Sequence, residues 1–299
     1  MRGASLAAGD GFSCGLLAAG GILCWGDDSD GQVTGAPQTG HFVSVAAGRR
    51  HACALRPDGT LKCWGNNSQQ QAPPDAASEY YGHFESIACG DDFTCGVHLD
   101  GKPLCFGSYA HGKSTPPDGT YSMIATGADT ACGVRLDNSH VVCWGDDTWG
   151  IVSSANGGAL YRVVAVGPEH ACAITVDHDR QMQCWGNGAQ AKAEQAGATR
   201  TDVRPGSYLA VSAGGVHTAA LTVGDRFTCF GEASATWQCS SPMSAENFGA
   251  WYQVAAGKSH TCILGDPQDP DVGPNGTVEC FGQGSGWQVP ENKVFKSGK

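Results

Sequence analysis

The sequence is poor in charge, and poorest in positive charge. Only 16% of its 299 residues are charged, and 18 Lys and Arg face 29 Asp and Glu, a formal net charge of -11. Phosphate backbones and anionic lipid are repelled at range by such a chain, so no nucleic-acid partner is expected. No apolar run approaches the roughly 18 residues that a membrane helix needs, so no membrane insertion is expected either. The opening residues, Met1 to Gly9, lack a charged stretch followed by an apolar core, which reads as a mature chain whose leader is absent from this sequence. Also missing are H-E-x-x-H and G-x-G-x-x-G. No zinc protease or dinucleotide site is therefore signalled, and no cofactor is expected. Gly257-Lys258-Ser259 imitates the end of a phosphate loop but only continues a phrase that recurs along the chain.

What is abundant is Gly, with 44 residues, and Cys, with 15. The glycines mark a repeat. Val45-Ala-Ala-Gly48-Arg-Arg-His51-Ala-Cys53-Ala-Leu55, followed by Asp58-Gly59-Thr60 and Cys63-Trp64-Gly65, returns seven times, anchored on Gly9, Gly48, Gly90, Gly127, Gly167, Gly214 and Gly257. Within each unit short alternating apolar runs are separated by Gly, Asp, Asn and Pro, the pattern of strands and tight turns. One such sheet of about 40 residues buries too little alone, so neighbours must stack, and radial stacking protects the edges. The expected fold is all-β, a seven-bladed β-propeller in one domain over 1–299. Its units run roughly over 4–41, 42–83, 84–120, 121–160, 161–207, 208–250 and 251–292, with 293–299 closing the ring.

The cysteines follow the same register. With the turn centred on Asp58, Cys53 lies opposite Cys63 and Leu55 opposite Leu61, at a separation that a disulfide accepts. The repeat thereby pairs Cys14 with Cys24, Cys53 with Cys63, Cys95 with Cys105, Cys132 with Cys143, Cys172 with Cys184 and Cys262 with Cys280. In unit six the first position is Ala219, and Cys239 is the expected partner of Cys229. Cys89 is left as a free thiol, at a position that other units fill with small or apolar residues. No C-x-x-C occurs and a spacing of ten in one hairpin does not build a tetrahedral site, so no metal is expected. One disulfide per blade points to an oxidising compartment, outside the cell or on its surface.

His51, His170, His217 and His260 share one position with Phe12, Phe93 and Thr130, which marks packing rather than coordination. Asp27-Asp28 and Asp146-Asp147 lack the downstream bidentate Glu of a calcium loop and read as turns. Asn66-Asn67-Ser68 and Asn275-Gly276-Thr277 are glycosylation sequons.

The phrases Ala47-Gly48-Arg-Arg-His51, Asp58-Gly59-Thr60 and Trp64-Gly65-Asn66 resemble the repeat of the regulator of chromosome condensation superfamily. With the added cysteines, as in Gly11-Phe12-Ser13-Cys14-Gly15-Leu16 and Cys24-Trp25-Gly26, the chain is similar to the superfamily's extracellular branch, including the ectodomains of plant crinkly-type receptor kinases. Trp25-Gly26-Asp27-Asp28-Ser29-Asp30-Gly31-Gln32 also resembles the secreted propeller that inhibits β-lactamases. That family carries aromatics on the turn after the Gly anchor, which this chain lacks, so inhibition is not carried over. Founding members of the superfamily exchange nucleotide on a small GTPase and touch chromatin inside the cell, which the cysteines and the charge of -11 argue against.

The turns after the anchors vary in charge while the framework repeats. They make Asp10, Arg49, Arg50, Asp91, Asp92, Asp129, Glu169 and Lys258 the expected binding face of a non-catalytic, secreted or cell-surface module for a protein or peptide. The alternative is a lectin that stacks sugars on Trp149, Trp237, Trp251 and Trp287, the Trp residues outside the Cys-Trp-Gly position. A hydrolase with carboxylates near the central channel is the third expectation.

Overall fold

The computed structural model describes residues 5–75, 81–155, 158–187, 202–204, 206–224, 226–231, 251–265 and 276–282. Seven antiparallel sheets follow one another along the chain, one per repeat, and each is a blade. Blade one consists of Leu6–Ala8, Phe12–Leu16 and Ile22–Gly26, paired in that order. Among the described residues six sheets have three strands, and blade five adds Asp202–Arg204 as a fourth. The middle strands are buried, throughout in His51–Leu55 of blade two and up to the last residue in Phe93–His98, Thr130–Arg135 and His217–Thr222, because a neighbouring blade covers each of their faces.

Each blade hooks onto the next in the same direction. The hairpin turn of one blade accepts a hydrogen bond from the first inner-strand residue of the next: Phe84 N donates to Gly59 O at 2.8 Å, Tyr121 N to Gly101 O at 2.8 Å and Tyr208 N to Arg180 O at 3.0 Å. In blades three to seven that first residue is aromatic and precedes a register shift. An extra residue in a ladder bends the strand and re-aims the side chain beside it. Here the aromatic packs in one core cluster with the preceding blade, as Tyr161 does with Val134 and Tyr208 with Ile174. Trp indoles complete the seams: Trp64 Nε1 donates to Gln32 O at 2.8 Å, Trp144 Nε1 to Lys113 O at 2.9 Å and Trp185 Nε1 to Ile151 O at 2.9 Å.

The anchor glycines close the inner circle. The Cα of each lies so near the carbonyl of the next blade's anchor that a Cβ would overlap it, from Gly9 against Gly48 round to Gly257 against Gly9. This is why the position is Gly in every unit. Blade seven meets blade one through the same devices, with Lys258 N donating to Gly9 O at 3.2 Å and Gln253 Nε2 donating to Leu6 O at 3.0 Å.

The six regular disulfides form as the register requires, with Cys53 opposite Cys63 and Leu55 opposite Leu61. Their Cα atoms are 4.0 to 4.1 Å apart. Cys229 is disulfide-bonded as well; Cys239, its expected partner, lies outside the described residues, as do 293–299.

Candidate functional site

The inner ends of the blades enclose a central channel with a cavity of about 320 Å³. Its wall consists of the anchor glycines and the small residues before them, including Ala8, Ala47, Cys89, Thr126 and Ala213. The two residues after each anchor divide their work. The first lines the channel mouth, as Asp10, Arg49, Asp91 and Lys258 do in blades one, two, three and seven, whereas blades four to six place Ala128, Pro168 and Gly215 there. In blades two, three and four the second borders a cleft instead. Arg50, Asp92 and Asp129 line such a cleft of about 410 Å³ with Asn66, Ser68, Gln69 and Gln71. Arg49 and Asp91 border both spaces.

Charge at the mouth forms an arc. Lys258 pairs with Asp10 at 2.9 Å, Arg49 with Asp10 at 3.6 Å and Arg49 with Asp91 at 3.8 Å, while Arg50 reaches Asp30 at 3.6 Å. The rim is half charged and half apolar. Burial pushes the Asp91 carboxyl up to about 6; Arg49 opposes this, and Asp129, Asp10 and Asp92 add to it. Asp91 is thus a carboxyl with too little cation around it.

Lys113 was not singled out by sequence reasoning. Its side chain is 2% exposed and its ammonium is bound by both Asp92 and Asp129 beneath the cleft. Burial works against its charge, but the hydrogen bonds to Asp129 and Asp92 outweigh that and hold it above its ordinary value. The signal lay in the repeat: Gln32, Gln71, Lys113 and Ile151 each stand seven residues after the aromatic of the closing triplet, so a cation there departs from its counterparts. Glu169 lies outside both cavities and accepts a hydrogen bond from Asn187 Nδ2 at 2.7 Å.

The Trp candidates separate. Trp149 is 45% exposed. Trp251 is a correction: it is 7% exposed and packs with Ala219 and Leu221 of blade six, as the inner-strand aromatic that every later blade carries. Its indole face is therefore unavailable to a sugar. Trp237 and Trp287 lie outside the described residues.

The acidic pairs are turn caps. Asp28 Oδ1 accepts from Val33 N and Thr34 N at 2.8 and 2.9 Å, and Asp147 Oδ1 accepts from Val152 N and Ser153 N at 2.8 and 3.0 Å. Backbone donors thus hold one oxygen of each carboxylate in the turn. Asn66 serves one of these turns too: its Oδ1 accepts from Ser68 N at 3.0 Å and its Nδ2 donates to Asp30 at 2.7 Å. Because that amide nitrogen is engaged, Asn66 is expected to stay unmodified when the protein is secreted from a glycosylating host; glycopeptide mapping showing high occupancy there would contradict the turn geometry.

The four buried histidines bridge blades. The Nε2 of His51 meets Thr94 Oγ1 at 2.9 Å, that of His170 meets Thr218 at 2.7 Å, that of His217 meets Thr261 at 2.7 Å and that of His260 meets Ser13 Oγ at 2.7 Å. Where a blade carries Phe12 or Phe93 instead, the facing residue in the next blade is Ala52 or Ala131. The pairing is His with Ser or Thr, and Phe with Ala. Thr94 Oγ1 donates to Gln71 O at 2.9 Å, so the His51 contact assigns the proton to Nε2 and leaves the buried Nδ1 bare. Burial accordingly lowers His51 and His260 to about 3, and His170 and His217 to about 4.

Residues 4–32 and 42–71 match the regulator of chromosome condensation (RCC1) repeat. No curated protein sequence matches the chain. The structure is similar to the CRINKLY WD40 ectodomain of the Arabidopsis thaliana receptor kinase ACR4, at TM-score 0.73 and 20% identity over 95% of this chain and 98% of that one. It is similar to the entire ectodomain of the Physcomitrella patens receptor kinase CR4, at TM-score 0.73 and 25% identity over 93% of this chain and 73% of that one. Prp20p of Saccharomyces cerevisiae follows with TM-score 0.68 and 14% identity, over 98% and 82%. The chain is a seven-bladed propeller in which residues 4–32 and 42–71 match the RCC1 repeat, and the likeness to ACR4 and Prp20p, below 25% identity, is one of fold.

Proposed function

We propose that the propeller is a non-catalytic recognition module of a secreted or cell-surface protein, and that it binds a protein or peptide across the face bearing the channel mouth. The observation that carries this is the junction of the two cavities at Arg49 and Asp91. A ligand lying there reaches an apolar-walled channel on one side and a polar cleft on the other, with charges of both signs between them. Such a surface recognises by charge pattern and register more than by area. Two further features agree with it: the disulfides belong to an oxidising compartment, and ACR4 and CR4 contribute propeller ectodomains of receptor kinases. Prp20p is itself a propeller described with binding to Gsp1p and histones.

Peptides selected from a random displayed library on the oxidised protein test the face. Arg49 and Asp91 side chains are 47% and 36% exposed, so removing both as Arg49→Ala with Asp91→Ala should leave the melting temperature within a few degrees. The same double variant should weaken selected peptides tenfold or more. Undiminished affinity in the variant would place the binding face elsewhere.

A glycan ligand is the second reading, carried by the exposed indole of Trp149. Competable binding on a glycan array, lost in Trp149→Ala, would move it to first place.

A further inference from the structure

Cys89 alone among the channel-wall residues before the anchors carries sulfur; its counterparts are Ala8, Ala47, Thr126, Val166, Ala213 and Ala256. It also stands beside a disulfide. Its Sγ, Cys53 Sγ and a ring nitrogen of His51 all lie within 4.8 Å of one another, in buried side chains. Thr94 Oγ1 sits among them, 3.8 Å from Cys89 Sγ and 3.9 Å from Cys53 Sγ. With Cys53 bonded to Cys63, this trio offers a metal only two free donors. What it does offer is a third sulfur in reach of a disulfide, and Cys89 is the free cysteine among the described residues.

We propose that Cys89 and the Cys53–Cys63 bridge form a thiol–disulfide exchange site, through which the staple of blade two can move to the seam between blades two and three. Cys89 gives up its proton and its thiolate attacks Cys53 Sγ. The Cys53–Cys63 bond breaks as the Cys53–Cys89 bond forms, and Cys63 leaves as a thiolate that takes up a proton. The change is an isomerisation that consumes neither oxidant nor reductant. Attack falls on Cys53 because it belongs to the middle strand His51–Leu55, which faces the inner strand Phe84–Cys89 of blade three, whereas Cys63 lies on the outer strand Leu61–Gly65.

The resting state is protected. Burial pushes the Cys89 thiol up to about 12, a hydrogen bond with Thr94 offsetting this only in part. His51, held neutral by burial, places no cation beside it, and Arg49 and Asp91 line the same channel as an ion pair. Exchange therefore depends on base or on transient parting of the two blades.

The test needs only the intact oxidised protein. It is incubated without added thiol at pH 7, 8 and 9, quenched in acid, alkylated, and its peptides are mapped without reduction. The alkyl label is expected to pass from Cys89 to Cys63 while a peptide joined through Cys53 and Cys89 appears. The initial rate should rise about tenfold per pH unit up to pH 9, because the thiolate is the nucleophile and stays a minor species; an unperturbed thiol would level off near 8.5. In Cys89→Ser the bridge should remain at Cys53–Cys63 throughout. Label confined to Cys89 after days at pH 9 would overturn the proposal, and so would label scattered over the cysteines of other blades.

Discussion

Gly167→Ala is expected to destabilise the propeller by about 3 kcal/mol, the scale of forcing extra volume into a packed core. A Cβ on Gly167 would lie 2.6 Å from the carbonyl oxygen of Gly214 and 3.2 Å from the ring of His170. The first neighbour is backbone held in the next blade and the second is a buried ring, so neither has a cheap way to yield. Because each anchor touches the next around a closed circle, relief at one seam compresses another. Gly224→Ala is the control: a Cβ there meets only Thr222 Oγ1, at 3.9 Å, and the change should stay within about 0.5 kcal/mol. Denaturant midpoints of the two variants compare them directly, and equal midpoints would mean that the inner circle is slack.

Acid should unfold the protein well above the usual carboxylate range. The four buried histidines hold folded-state values of about 3 to 4 against an ordinary 6.5. Between those limits the unfolded chain binds protons that the native one refuses, so stability is full above pH 6.5 and declines as the pH falls. Each group contributes a slope of up to about 1.4 kcal/mol per pH unit, and four together approach about 10 kcal/mol by pH 4.5, comparable to a typical domain's whole stability. Asp91 acts in the opposite direction, since its raised carboxyl favours acid, but at 36% side-chain exposure solvent screens much of its effect. The pair His170→Phe with Thr218→Ala copies the Phe12 and Ala52 seam found elsewhere in the ring. It should reduce the slope between pH 6 and 4.5 by about 1.4 kcal/mol per unit. An unchanged slope in urea titrations would show that these rings are not what acid attacks.

Both effects were half visible in the sequence. The seven anchors, the strand register and the cysteine pairing could be read because turns fix register and register fixes which side chains oppose. The histidines were rightly read as packing, since Phe replaces them, but their partners stand some 43 to 48 residues on, in the next repeat. Only aligning His against Ser or Thr, and Phe against Ala, across neighbouring units would have revealed them. Trp251 was misjudged for a related reason. It aligns with Phe84, Tyr121, Tyr161 and Tyr208, and that column of aromatics signals an interior wedge whichever ring fills it. Of the charged turn residues, Asp10, Arg49, Asp91 and Lys258 line the channel and Arg50, Asp92 and Asp129 the cleft, a division that single-residue reading does not reach, and Lys113 joins Asp92 and Asp129 from a different loop.

The six described bridges have one property in common: each joins two strands of the same blade. Covalently these stretches of the molecule are small closed rings threaded on a single string, and among the described residues packing, hydrogen bonds and ion pairs turn the string into a wheel. The spokes are riveted while the rim is merely latched. A bridge limits how far a blade can unravel and does nothing to keep two blades together, so damage at one latch is felt there undiluted, however many cysteines the wheel contains.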